Sequence, residues 1–192
     1  MANYNAIKYD GFSKGSLTLL STTTASSDST VSFTSGIDST YKEYLFIFNN
    51  IHPSADTTDL DFQSSTNGGS SYGVTATTTC FTSQHDEADS SPGISYSGAR
   101  DLGQATGFHG LSIDTGNAND ECCAGFLHLF NPSSTTFAKH FISRVNSYHG
   151  SNYSIEAYGA GYFNTTSAID AIQFKFDSGN IDAGVIQLFG VN

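Results

Sequence analysis

The chain has 192 residues, of which 38% are hydrophobic and 13% aromatic (15 Phe, 10 Tyr, no Trp), while only 13% are charged. That length suits one domain and supplies enough apolar material for a core. Its formal net charge of −11 repels phosphate backbones and anionic lipid, which argues against nucleic-acid binding, and no apolar run approaches the ~20 residues of a membrane-spanning helix.

Ser and Thr make up about a quarter of the residues, well above average usage. Threonine, aromatics and Gly-rich turns favour strands, and no segment carries a convincing 3.6-residue period. The expected fold class is all-β: an antiparallel β-sandwich of roughly nine or ten strands with one long loop insertion.

Residues 1–15 read as an N-terminal arm preceding a single domain at 16–192. Tyr4, Ile7, Tyr9 and Phe12 are many apolar side chains for a solvated tail, yet they do not alternate as in a strand, and Lys8 and Lys14 add positive charge. Two readings stand: an outer strand of the sandwich, or an arm that docks on a neighbouring subunit and orders as it binds. The start lacks a basic stretch followed by an apolar one, so no cleaved signal peptide is expected and synthesis is placed in a cytoplasm.

Residues 16–22 and 30–34 are expected to pair as a first hairpin. Residues 41–49 form the strongest strand, with Tyr44, Phe46 and Phe48 on one side and Leu45 and Ile47 on the other. Apolar residues on both faces imply a central strand buried twice, or one lining a subunit contact. Residues 59–64 alternate, Leu60 and Phe62 inward, Asp59 and Asp61 outward. The turn Asn67-Gly68-Gly69, which suits positive φ, then predicts a hairpin with residues 72–81.

Between 82 and 121 the apolar residues become isolated, and seven acids accompany a single base, Arg100. This stretch is expected to be a solvated outward loop, replaceable by a short linker, with at most a short element near 99–104. Strand alternation resumes at 125–130, where Phe126, His128 and Phe130 share a face. It continues at 137–145, at 153–163, where Gly159 and Gly161 imply a bulge or close packing, and at 169–176 and 185–191 across the turn at 177–180.

Chemistry-bearing residues are scattered. His52, His85, His109, His128, His140 and His149 lack the spacing of a helical zinc motif, and the sequence has no nucleophile elbow or phosphate-binding loop. Cys80, Cys122 and Cys123 are an odd set without a C-x-x-C pair, so they read as free thiols; zinc shared with His128 is the alternative. Asp56, Asp59 and Asp61, and likewise Asp86, Glu87 and Asp89, are close enough in sequence to suggest calcium but match neither the EF-hand loop nor a glycine-rich calcium repeat, and read as solvated loop charge. Tyr96, Tyr148, Tyr153, Tyr158 and Tyr162 could form a sugar-binding platform or serve as sheet filler. No catalytic, cofactor or metal residue is assigned, no cofactor is implied, and the chain reads as non-enzymatic.

Two segments carry a resemblance. Tyr41-Lys42-Glu43-Tyr44-Leu45-Phe46-Ile47-Phe48-Asn49-Asn50-Ile51-His52-Pro53, followed by Asn67-Gly68-Gly69-Ser70-Ser71-Tyr72, resembles a block in small virion proteins of marine tailed bacteriophages. The ending does so too, from Ile169-Asp170-Ala171-Ile172-Gln173-Phe174 through Ser178-Gly179-Asn180-Ile181 to Gly184-Val185-Ile186-Gln187-Leu188-Phe189-Gly190-Val191. The resemblance covers the two flanks, skips 82–121 and carries over no functional residue. It implies a jelly-roll-like sandwich, a homotrimer, and a place on the virion surface among capsid or tail proteins. The role would be capsid decoration or, alternatively, a tail-fibre tip that recognises host surface glycans.

Overall fold

A computed structural model describes residues 16–192, so the arm at 1–15 lies outside the described residues. The described residues are all-β and antiparallel, in two packed sheets of unequal size. The larger runs in the order β1 (Leu17–Asp28), β13 (Ile181–Val191), β3 (Glu43–Pro53), β9 (Cys123–Phe130), β10 (Lys139–His149), β11 (Tyr153–Phe163), β5 (Ala76–Asp86), β6 (Gly93–Tyr96), and short β7 (Gly103–Ala105) also pairs with β5. The smaller sheet runs β2 (Val31–Phe33), β12 (Ala171–Phe176), β4 (Leu60–Ser65), β8 (His109–Gly110).

Period-two alternation decides which residues meet in the core. Opposed residues share a face, so the row Leu188–Phe46–Leu127–Ser143–Gly159–Cys80 crosses the inner side of the large sheet. The small sheet answers with Phe33, Leu60, Phe62, Phe174 and Phe176. Phe174 is the hub: its ring lies 5.2 Å from Phe46, 5.2 Å from Phe48 and 6.1 Å from Phe33, all edge-on. Edge-on aromatic pairs add about 0.5–1.5 kcal/mol each beyond area burial, so the Phe-rich composition acts mainly here.

Two expected hairpins do not form. β1 pairs with β13 and β2 with β12, so the chain changes sheets at Ser29-Thr30, just after Ser27 with its positive φ of 61°. Likewise β4 pairs with β12 and β8, whereas β5 pairs with β11. Gly68 and Gly69 do adopt positive φ, 68° and 81°, but their turn carries the chain from one sheet to the other. Turn chemistry fixes a reversal of direction; which strand receives the returning chain is decided by long-range packing.

The stretch 82–121 also differs from the expected solvated loop. Residues 82–86 extend β5, three short strands follow, and Leu111, Ile113, His109 and Thr115 are buried. Isolated apolar residues at wide spacing hide a core contribution that no short window of sequence shows. The strands number thirteen among the described residues, against nine or ten expected, and β6, β7 and β8 make up the difference.

Gly159 and Gly161 lie in an unbroken β10–β11–β5 register, so close packing rather than a bulge explains them. A Cβ on Gly161 would come within 2.7 Å of Thr78 Cγ2, 2.8 Å of the Thr77 carbonyl and 2.9 Å of Phe141 Cζ. One on Gly159 would stand 2.4 Å from Ser143 Oγ and 3.0 Å from His109 Nε2.

Candidate functional site

Side chains that alternate away from the core build the outer face of the large sheet. One row runs Leu19–Phe189–Leu45–His128–Ile142–Ala160–Thr79 across seven strands. The next runs Thr22–Gln187–Ile47–Phe126–Arg144–Tyr158–Phe81–Tyr96. No other element of the described residues pairs over this face as the small sheet covers the inner one. Leu19, Ile142 and Phe81 are 52%, 44% and 43% exposed, and Leu45, Ile47, Phe126, Phe130 and Phe189 are half-buried between neighbours. The expectation at 41–49 of apolar residues on both faces is met: Tyr44, Phe46 and Phe48 enter the core, while Leu45 and Ile47 join the outer rows.

The few titratable side chains on this face lie beside partners of their own. His128 Nε2 lies 2.9 Å from Glu43 Oε2, and its ring packs 4.2 Å from Phe130. Arg144 donates from Nε and Nη2 to the two Glu156 carboxylate oxygens and lies 5.2 Å over the Tyr158 ring. Tyr158 in turn stacks on Phe81 at 4.6 Å, with rings parallel to within 2°. Between these groups the small side chain of Ala160 and the bare backbone at Gly161 leave a shallow groove of about 360 Å³, walled by Thr77, Thr79, His140, Ile142 and Tyr162.

Charge is concentrated instead around the small sheet. Arg100 binds Asp59 (Nε to Oδ2, 2.5 Å) and Asp114 (3.2 Å), and the Asp114 N–H donates to Asp59 at 2.7 Å. His149 Nε2 is 3.5 Å from the other Asp114 oxygen. The single base of the acidic stretch is thus the clamp that holds that stretch onto β4. Asp59 and Asp61 do point away from the core, as expected, but this clamp partly buries them. Burial, with Asp59 and Asp177 nearby, pushes the Asp61 pKa up to about 7 despite Lys175 opposite on β12. Asp86, by contrast, caps its turn: it accepts bonds from the Ser90 hydroxyl and from the Ser90 and Ser91 N–H groups, which hold its pKa down at about 2.

The remaining candidates are dispersed. His52 bonds the Glu121 carbonyl at 2.6 Å, His85 sits 3.2 Å from Asp89, and His140 lies beside Tyr162 on the outer face. His109 is enclosed between Phe62 and Phe141, and burial pushes its pKa down to about 4. Cys123 is fully enclosed, with its thiol pushed up to about 12, and lies at the end of β9 away from His128; the three thiols are free. Among the described residues, no three His, Cys, Asp or Glu side chains are grouped to hold a metal ion. The tyrosines do not form one platform. Tyr96, Tyr158 and Tyr162 lie on the outer face, Tyr153 packs inward against Ile113 and Ile155, and Tyr148 bonds Glu87 at 3.1 Å. Tyr148 and Tyr153 line a cleft of about 380 Å³ at the β10–β11 end, together with His85, Glu87, Asn146 and Ser154.

Alternation at 44–48 and 126–130 is the sequence signal for the outer face. Nothing in the sequence marks Arg100 as a clamp or His109 as a core residue. Comparison with family models, curated proteins and solved structures found no match for this chain.

Proposed function

We propose that this chain is a non-enzymatic structural subunit on the surface of a tailed-phage virion, decorating the capsid and made in the host cytoplasm. The observation that carries this reading is the outer face: many apolar side chains and few charges, spread over seven strands, suit assembly with other proteins. Its virion setting rests on the resemblance of residues 41–53 and 169–191. Ser143 and His109 both face Gly159 and both are buried, His109 between Phe62 and Phe141, a poor place for nucleophilic chemistry.

Its partners in this reading are further copies, three by the resemblance, and the capsid or tail proteins below. Residues 2–12, outside the described residues, would supply attachment. The test is quantitative mass spectrometry of purified particles. Hundreds of copies per virion support decoration; a few copies indicate a tail-fibre tip; absence overturns the reading. Deleting residues 2–12 should leave a folded β domain that no longer binds particles.

The cleft of Tyr148, Tyr153, His85, Glu87 and Asn146 favours a second reading, a fibre tip that recognises host glycans. Tyrosine offers sugars an apolar face beside polar tips. Binding of host surface polysaccharide that is lost in Tyr148→Ala would favour it over decoration.

A further inference from the structure

We infer that the outer face of the large sheet is the contact between copies of this chain, and that its occupant is a second copy. This rests on the structural-subunit reading and names the surface through which that subunit assembles.

Size comes first. The face spans seven neighbouring strands, β1, β13, β3, β9, β10, β11 and β5. At ~4.8 Å between strands and ~6.8 Å between outward residues, those two rows and the flanking one through Leu17, Val191, Glu43 and Phe130 cover roughly 600 Å² in projection. Side-chain relief brings that towards the ~800 Å² per partner of a stable protein–protein contact. Individual exposed hydrophobics are ordinary on any surface; Leu19, Phe189, Leu45, Ile47, Phe126 and Ile142 gathered on one face of this size are not.

Charge distribution selects the occupant. With a net charge of −11, two copies repel one another wherever their acids meet. Glu43, Glu156 and Asp101 are the acids on or beside these rows: Glu43 and Glu156 pair with His128 and Arg144, and Asp101 accepts from the Tyr96 hydroxyl at the β6 end. The acids bound to Arg100 and those in the 86–89 turn lie off these rows, so copies meeting on this face bring few like charges together. The two halves of the face also differ in shape. Leu17 and Leu19 project from the β1–β13–β3 half, with Leu45, Ile47 and Phe189 half-buried beside them, while the groove over Ala160 and Gly161 indents the β10–β11–β5 half. Projections from one copy can enter the groove of another, and sheets stacked in this way lie ~10 Å apart.

The experiment is light scattering on the purified full chain over a concentration series, at low and high salt. The expected mass exceeds that of one chain and rises with salt, because salt screens the net repulsion while leaving apolar contact intact. Ile142→Lys and Phe81→Lys, each at a half-exposed position, should lower the mass to that of one chain with an unchanged far-UV spectrum. Phe137→Lys alters an equally apolar residue, 69% exposed in the β9–β10 turn and off these rows, and should leave the mass unchanged.

A wild-type protein that stays at one-chain mass at 100 µM and high salt overturns the inference. So do folded Ile142→Lys and Phe81→Lys proteins that remain assembled. If both variants unfold, radical footprinting of the wild type decides: Phe81, Ile142 and Phe189 must become protected as concentration rises, and constant labelling overturns the contact. Self-association of a protein absent from virions would keep this inference and sink the virion reading; a monomer present at hundreds of copies per particle would do the reverse.

Discussion

Replacing Asp61 by Asn should stabilise the protein at neutral pH, although it deletes a charge that faces Lys175. Asp61 lies partly buried on β4 beneath the Arg100 segment, and its pKa is raised from 3.8 to about 7. A carboxyl whose folded pKa exceeds its unfolded value favours folding fully below pH 3.8, and that contribution drains away as pH rises to about 7. Roughly three units at ~1.4 kcal/mol each set an upper limit near 4 kcal/mol, and residual solvent access lowers it to about 2. His109 works in the opposite direction. Its pKa is lowered from 6.5 to about 4, so it costs stability as pH falls through that window. Between pH 4 and 6.5 the two slopes oppose each other, and the wild-type contribution of the pair should be nearly flat. Asp61→Asn removes one of them. In urea titrations followed by circular dichroism, the variant should match the wild type at pH 4, exceed it by about 2 kcal/mol at pH 8, and gain a positive slope from pH 4 to 6.5. A variant less stable than the wild type at pH 8 would refute the reasoning, because attraction to Lys175 and Arg100 would then outweigh burial.

Phe174→Ala removes the ring on which Phe33, Phe46, Phe48 and Phe62 converge, and should cost about 3–5 kcal/mol in the same titration. Gly161→Ala places a methyl group against Phe141, Thr78 and the Thr77 carbonyl, and should lower the melting temperature by an amount equivalent to about 1–3 kcal/mol. Replacing residues 82–121 with a short Gly-Ser linker should abolish the cooperative transition. It deletes buried Leu111, Ile113 and His109 together with the Arg100 clamp, and a typical domain has only about 5–15 kcal/mol in reserve.

Fold class was legible because period-two alternation is local. Residues 44–48 and 126–130 reveal their two faces within five positions, and the structure places those side chains on the expected sides of the sheet. Sheet membership was not legible. β1 and β2 are separated by only Ser29-Thr30 and yet join different sheets, a choice made by β13 and β12 more than a hundred residues later. The outer face could be read in part, at 41–49 and 125–130, where apolar residues occupy both parities. Its far half, Phe81, Tyr158 and Ile142, becomes a surface only once register brings distant β5 against the β10–β11 hairpin. Arg100 and His109 carry no local signal, since a clamp and a core imidazole are defined by partners elsewhere in the chain.

The pairing of β1 with β13 also sets the order in which the molecule is completed. Leu17 lies opposite Val191, and the Asn192 N–H donates to the Ser16 carbonyl at 3.0 Å, so one sheet edge joins the first described strand to the last. A ribosome adding about 5–20 residues per second holds residues 17–28 without their partner for roughly ten seconds or more. β3 waits as well, for β9 and β13, so the large sheet cannot close progressively from its N-terminal side. Such non-local pairing makes for slow folding, because loop closure must come before the contacts that reward it. During that interval the outer-face residues of β3 and the open edge of β1 stand exposed together on nascent chains. Neighbouring ribosomes on one message would bring many such chains close, at the stage when strand edges join unselectively. Thr and Ser at most outward positions of β1 make that waiting edge a polar one.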